Sequence, residues 1–410
     1  MIEQRSCALP SYAVFAAMLG IAGLPIYIHA PKFFVDNYGV SLSALGLSLF
    51  FLRLLDFIQD PLLGKLAERT RKYRAVPVWI AGLVMAMGMF GLFAMQAPIS
   101  PVLWFCLTLS AVFSGFSFLS IRFYAQGVSS FGEPGQLRLA RWRETGSLLG
   151  ICLAAITPTL LLIFSENVFW LYSVLFSGLV VVALLAMQRH WTAFPNSVAE
   201  PASGFILSDP VLRQLLILAV LNTAPVAVSS TLFLFFVESR LLASDMAGPL
   251  LILFFLMAAF SAPIWTLCAG RFGARRILLV AMVSATVSFA YAFFLQSGQV
   301  FIFTIICAAS GATLGADLAI LPSIFARRLA STGARAEIGF GLWNFASKVS
   351  LAIAAVIVLP ALEIFGFQPG LENSENDLFA LSFGYAALPC ALKLLAIWVL
   401  LRLQLEDPKT

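Results

Sequence analysis

Residues 48–66 read SLFFLRLLDFIQDPLLGKL, and residues 250–268, 202 positions later, read LLILFFLMAAFSAPIWTLC. Each is long and apolar enough to cross roughly 30 Å of hydrocarbon as a helix, and each carries a proline at the same place, Pro61 and Pro263. They differ in charge. The first holds Arg53, Asp56 and Asp60, where the matching positions of the second are Phe255, Ala258 and Ala262. Spacings of i, i+3 and i+7 put the three charges on one helical face. An ionised Asp at a helix centre costs roughly 2.5–3.5 kcal/mol on the insertion scale, so this face must meet a cation, a water-filled cavity or both, and not lipid. The uncharged second copy shows that the scaffold is viable without them, and their presence calls for a functional explanation. A purely structural Arg53–Asp pair would leave the second carboxylate unexplained.

Outward from these two stretches the whole chain has the same character. Of its 410 residues 61% are hydrophobic and 11% charged, against about 25% charged in soluble domains. Apolar segments fall near 10–34, 41–66, 76–97, 101–126, 137–164, 167–187, 211–240, 246–270, 275–296, 299–326, 338–365 and 378–403. In lipid every backbone amide must bond within its own segment, so these are expected to be twelve transmembrane helices of an all-α membrane protein. The start, MIEQRSCALPSYAVF, lacks a small-residue cleavage site and is read as the first span, not a removable signal. Short connections leave no room for a soluble catalytic domain.

The net charge of +5 is an orientation signal, not a nucleic-acid footprint. With the N-terminus placed in the cytoplasm, nineteen basic residues fall in cytoplasmic loops and termini, among them Lys65, Arg69, Arg71, Lys72 and Arg74, while only Lys32 and Arg240 fall outside. Both termini are therefore expected inside, in the inner (plasma) membrane. The six cysteines have no paired spacing and read as small packing residues. His29 and His190 are too far apart for a metalloprotease site. With no nucleophile–base or metal constellation, the chain is not expected to be an enzyme and needs no resident cofactor.

The polar stretch RHWTAFPNSVAEPASGFILSDP falls midway. It divides the chain into an N-terminal six-helix bundle (1–187), a cytoplasmic linker (188–210) and a C-terminal six-helix bundle (211–410). The 202-residue shift also aligns Phe33–Asp36 with Phe235–Glu238, Arg69 with Arg271 and Arg74 with Arg276, and a shift of 201 aligns Trp142 with Trp343. Two parallel six-helix repeats resemble the architecture of the major facilitator superfamily, which implies substrate bound between the halves near the midplane. The basic loop GKLAERTRKYR resembles that superfamily's loop between its second and third helices.

Two close carboxylates beside one cation suit a monovalent cation site. Carboxylate oxygens are hard ligands for Na⁺, and a desolvated acid beside another can instead hold a proton near neutral pH. Gln59 adds an amide oxygen, and Pro61 frees the carbonyl of Phe57. The run Arg53-x-x-Asp56-x-x-Gln59-Asp60-Pro61-x-x-Gly64 resembles the signature of the glycoside–pentoside–hexuronide:cation symporter family, typified by melibiose permease. The lead-in Lys32-Phe-Phe-Val-Asp36-Asn-Tyr-Gly39 resembles its first outer loop. The resemblance implies that Asp56 and Asp60 ligate the coupling cation, as metal ligands if it is Na⁺. Gln59 stands where sodium users of the family often have Asn, which leaves H⁺ and Na⁺ both open.

By the same resemblance Lys348, about ten residues into the span FGLWNFASKVSLAIAAVIVLP, links cation to substrate. Arg53 and Lys348 against Asp56 and Asp60 sum to zero charge, so a bound cation would loosen Lys348. Substrate-cavity candidates are Arg143, which matches a family arginine near the sugar site, Arg122, Asp317, Trp142, Trp343 and Asn344. Arg122 and Asp317 are expected to pair across the halves, and Trp142, Trp343 and Asn344 to floor the cavity. Lys393 has no evident partner. Two departures bear on the solute: the acids that sugar-binding members carry in helices one and four fall at Gly20 and near Phe118. The overall expectation is a cation-coupled symporter of a small solute, sugar-like or another small organic, acting by alternating access with a monomer as its unit. A proton-driven exporter and a non-transporting scaffold are the rivals.

Overall fold

The structure, a computed structural model, describes residues 2–161, 167–191, 206–368 and 373–403. All regular elements among these residues are helical. Most of the expected linker, 192–205, lies outside them. The chain forms two compact units, one of residues 1–206 with 326–345, the other of 207–325 with 346–410.

The first unit holds α1 (Ile2–Tyr38), α2 (Leu42–Arg69), α3 (Val76–Phe93), α4 (Pro101–Leu161) and α5 (Val168–Met187). Ser41 caps α2 by accepting the Ala44 amide at 3.3 Å. At about 1.5 Å per residue, the 61 residues of α4 would be far too long for one crossing. The helix is broken at Gly132 (φ 61°, ψ −167°), a backbone region closed to side-chain-bearing residues. Beyond the break the second arm folds back: Gln136 Nε2 donates to the Gly132 and Gly127 carbonyls at 2.7 and 3.2 Å. The two arms take the place of the fourth and fifth expected spans.

The α1 helix lies against the second arm of α4 with almost no side chain between them. A Cβ added to Gly20 would sit 2.1 Å from the Ser147 carbonyl oxygen. Around this crossing Tyr12, Phe15, Phe123 and Phe131 pack as a buried aromatic cluster, Phe15 and Phe123 with ring centroids 4.8 Å apart.

The second unit holds α6 (Pro210–Phe235), α7 (Ala247–Phe272), α8 (Ala274–Ala290), most of α9 (Val300–Thr332) and α10 (Ala336–Ile364), α11 (Glu375–Ser382) and α12 (Leu388–Arg402). Asp209 caps α6 by accepting the Val211 and Leu212 amides at 2.8 and 2.9 Å. Wider π turns, Phe236–Arg240 and Phe383–Ala387, extend α6 and join α11 to α12. They meet where Phe236 stacks on Tyr385 at 4.1 Å.

Helix occupies most of the described part of each expected span, stopping short of residues 94–97 and 295–296, with the fourth and fifth spans merged and the last one interrupted by a π turn. Among the described residues nine helical stretches are long and apolar enough to cross a membrane. Large apolar side chains such as Met87, Val287 and Phe301 are 70% or more exposed, which a bilayer satisfies and water does not.

Candidate functional site

The inward face of α2 carries the expected acids. Asp56 and Asp60 are both buried. Asp56 Oδ1 accepts from Gln59 Nε2 at 3.0 Å and from Ser117 Oγ at 3.3 Å, and Gln59 Oε1 accepts from Ser114 Oγ at 2.8 Å. The serines stand three residues apart on the first arm of α4, on the face that meets α2. Two carboxylates, an amide and two hydroxyls give a set of hard oxygen donors, the chemistry a proton or Na⁺ requires. The serines were not singled out by the sequence, because nothing local marks which serine of a helix faces an acid 60 residues away. The side chain of Arg53 lies outside the described residues. Lys348 is partly buried on α10, in the second unit.

The signature glycine has a steric role. A Cβ on Gly64 would come within 3.0 Å of the Glu337 carbonyl oxygen, and one on Gly341 would come 3.2 Å from the Gly64 Cα. The first turns of α10 thus press onto α2 one turn past Asp60. Around this contact residues 326–345 are tied into the first unit by charge. Arg122 Nη1 lies 3.3 Å and Arg71 Nε 3.5 Å from Glu337 Oε1. Arg335 pairs with Glu68 at 2.8 Å, and Arg327 with Glu133 at 3.5 Å. Arg122 also donates to the carbonyl of Arg74 at 3.4 Å, a residue held at φ 50°.

These contacts correct one expectation. Arg122 does not pair with Asp317. Each finds an opposite charge within its own unit: Glu337 for Arg122, and Lys393 for Asp317. A buried guanidinium or carboxylate must be neutralised at hydrogen-bond range, so the nearest opposite charge decides.

The other cavity candidates divide. Arg143 is buried, pairs with Glu144 at 2.6 Å and lies 3.7 Å from the centre of the Tyr124 ring, whose hydroxyl donates to the same carboxylate at 3.0 Å. It is therefore an interior group of the first unit. Trp343 is buried and Asn344 Nδ2 donates to Ser120 Oγ at 3.4 Å. Trp142, the residue before Arg143, is exposed. Gly20 is closed by the α1–α4 crossing, and Phe118 is a core residue.

In the second unit Lys393 Nζ donates to Asp317 Oδ2 and, at 2.6 Å, to Asn222 Oδ1, so α12, α9 and α6 meet at one buried polar cluster. Sequence reading left Lys393 without a partner. The only signal was that a lysine inside an apolar span needs an acid, and the sequence reading had assigned Asp317 to Arg122 instead.

The description "MFS/sugar transport protein" matches residues 10–407 of the chain. No curated protein matches it in sequence. Among solved structures it is similar to the fucose:proton symporter of E. coli (TM-score 0.71, 13% identity, 98% of this chain and 99% of that one). It is also similar to a bacterial homologue of the iron transporter ferroportin in an outward-facing state (0.70, 14%, 97% and 98%) and to a human organic anion transporter (0.66, 15%, 97% and 99%). At these identities the likeness is one of fold.

Proposed function

The chain belongs to the family of MFS/sugar transport proteins, and on that premise we propose that it is a secondary transporter coupling a monovalent cation to a small solute by symport. The observation that carries this reading is the oxygen-lined α2 face, where Asp56 is buried with Gln59 and Ser117 as its partners. Two buried acids without a fixed function would cost stability for nothing, whereas a site that alternately takes up and releases H⁺ or Na⁺ needs them. The fold likeness to a proton-coupled symporter is in keeping with this.

In this mechanism the cation binds at Asp56 and Asp60 with Gln59 as an auxiliary ligand, and Arg53 and Lys348 report its charge to the solute. The two six-helix halves, 1–187 and 211–410, rock about the linker. The Arg122–Glu337–Arg71 cluster and the Arg335–Glu68 and Arg327–Glu133 pairs form in one state and part in the other. The protein works in the plasma (inner) membrane without a resident cofactor.

The test is proton release by the purified protein in detergent, titrated with Na⁺ or Li⁺. Release that vanishes in Asp56→Asn and Asp60→Asn supports a shared H⁺/Na⁺ site. Release that persists undiminished in both variants overturns the reading. Uptake against efflux in vesicles of known orientation separates symport from proton-driven export.

A further inference from the structure

The cation site leaves one buried charge cluster unused, that of Asp317 and Lys393. Both residues are more than nine-tenths buried. An ammonium has three donors, and among the described residues Lys393 spends two of them, on Asp317 Oδ2 and Asn222 Oδ1. The other carboxylate oxygen, Asp317 Oδ1, is buried and accepts from no described residue. One donor and one acceptor are thus left over side by side.

Asp317 and Lys393 both line a cavity of about 70 Å³ within the second unit, bounded by α6, α7, α8, α9 and α12. That is room for several water molecules or a solute of comparable size. The hydroxyls of Ser229, Thr286, Ser310 and Thr313 on its wall each donate to a carbonyl of their own helix, so they offer the cavity lone pairs. Phe254 and Phe289 supply apolar surface.

Charge selects the guest. The Asp317–Lys393 pair is neutral, and a further cation or anion beside it would bring an uncompensated charge into a low-dielectric interior, at several kcal/mol. A hydroxyl does not have this problem: it donates and accepts through one atom. We propose that this cavity is a binding site for a small neutral polyol, or the hydroxylated end of a sugar. One hydroxyl donates to Asp317 Oδ1, its oxygen or its neighbour's accepts from Lys393 Nζ, and the C–H face rests on Phe254 and Phe289. The site rests on the reading of the chain as a solute transporter but not on the cation site. It supplies a carboxylate acceptor in the second unit, where the first unit has filled Gly20 and Phe118 with packing.

The experiment is saturation-transfer NMR on the purified full chain in detergent, with glycerol, erythritol and xylitol as probes, and glycerate and ethanolamine as the anionic and cationic counterparts. Wild type is expected to pass saturation to the polyol C–H protons and much less to the charged probes. Asp317→Leu with Lys393→Met, which removes both charges together, weakens polyol binding about tenfold, equivalent to about 1.4 kcal/mol. Cys390→Trp, which fills the cavity and leaves the pair in place, does the same and serves should the double variant not fold. No transfer to any polyol in wild type overturns the proposal, as does equal transfer in the variants or preference for a charged probe. In wild type, polyol transfer without Na⁺- or Li⁺-driven proton release marks failure of the cation site alone, and proton release without polyol transfer marks failure of this site, so the two are told apart.

Discussion

The α2 and α7 helices are the same element of two repeated units, alike in length and in the place of the proline, yet they treat their inward faces in opposite ways. On α7, Ala258 and Ala262 are fully buried, and α9 comes so near that a Cβ on Gly315 would lie 2.5 Å from the Ala258 carbonyl oxygen. On α2 the matching positions are Asp56 and Asp60, and the first arm of α4 answers with Ser114 and Ser117. Small residues bring one crossing to backbone contact, and side-chain oxygens line the other. The second unit places its buried charges elsewhere, at Asp317 and Lys393. A repeated scaffold therefore fixes where helices cross and leaves free which crossing is made polar.

The largest effect that could break this contrast is at α2. Asp56→Asn should reduce ion-dependent transport to background while the protein still melts as wild type. Measured in proteoliposomes, retained coupling would make the α2 face a structural feature like that of α7. Next comes Lys393→Met alone, which strands Asp317 in the interior and should cost about 3–5 kcal/mol, seen as a marked loss of thermal stability in detergent. Adding Asp317→Leu should recover most of it. A destabilised double variant would mean that the cluster packs by shape and not by charge.

Glu337→Gln should follow, since it leaves Arg122 and Arg71 without their carboxylate. A loss of about 3 kcal/mol is expected, with faster proteolysis in the loop before α10. Gly20→Ala forces a methyl onto the Ser147 carbonyl and should cost about 1–3 kcal/mol as overpacking. A neutral result in a thermal melt would show that α1 can move off α4. The smallest effect belongs to Arg335→Ala. Its pair with Glu68 is half-exposed, so about 0–1 kcal/mol is expected.

Much of this was legible in the sequence. The apolar segments located the helices because in lipid length and hydropathy leave no alternative, and Asp56 and Asp60 stood out by charge at helical spacing. What was not legible depended on contacts between distant segments. Ser117 looks like any polar residue until α4 is laid against α2, and Glu144 until α4 folds back at Gly132 to bring it to Tyr124. The Arg122–Asp317 expectation failed for the same reason: it matched charges by sign, whereas Glu337 and Lys393 prevailed by proximity. The side chain of Arg53 lies outside the described residues, and the charge balance proposed for it rests on sequence.

The π turns at Phe236–Arg240 and Phe383–Ala387 bear on how the repeat itself should be read. Each inserts one residue beyond α-helical pitch, which rotates what remains of the same helix by about 100° about its axis. The match of Asp36 to Glu238 is thus an equivalence of letters, while Glu238 falls inside the π turn where the phase has already slipped. Transfer of roles between the two units must be re-phased within Phe236–Arg240 only; past Leu241 the helix has ended, and α7 resumes the 202-residue register of Pro61 and Pro263.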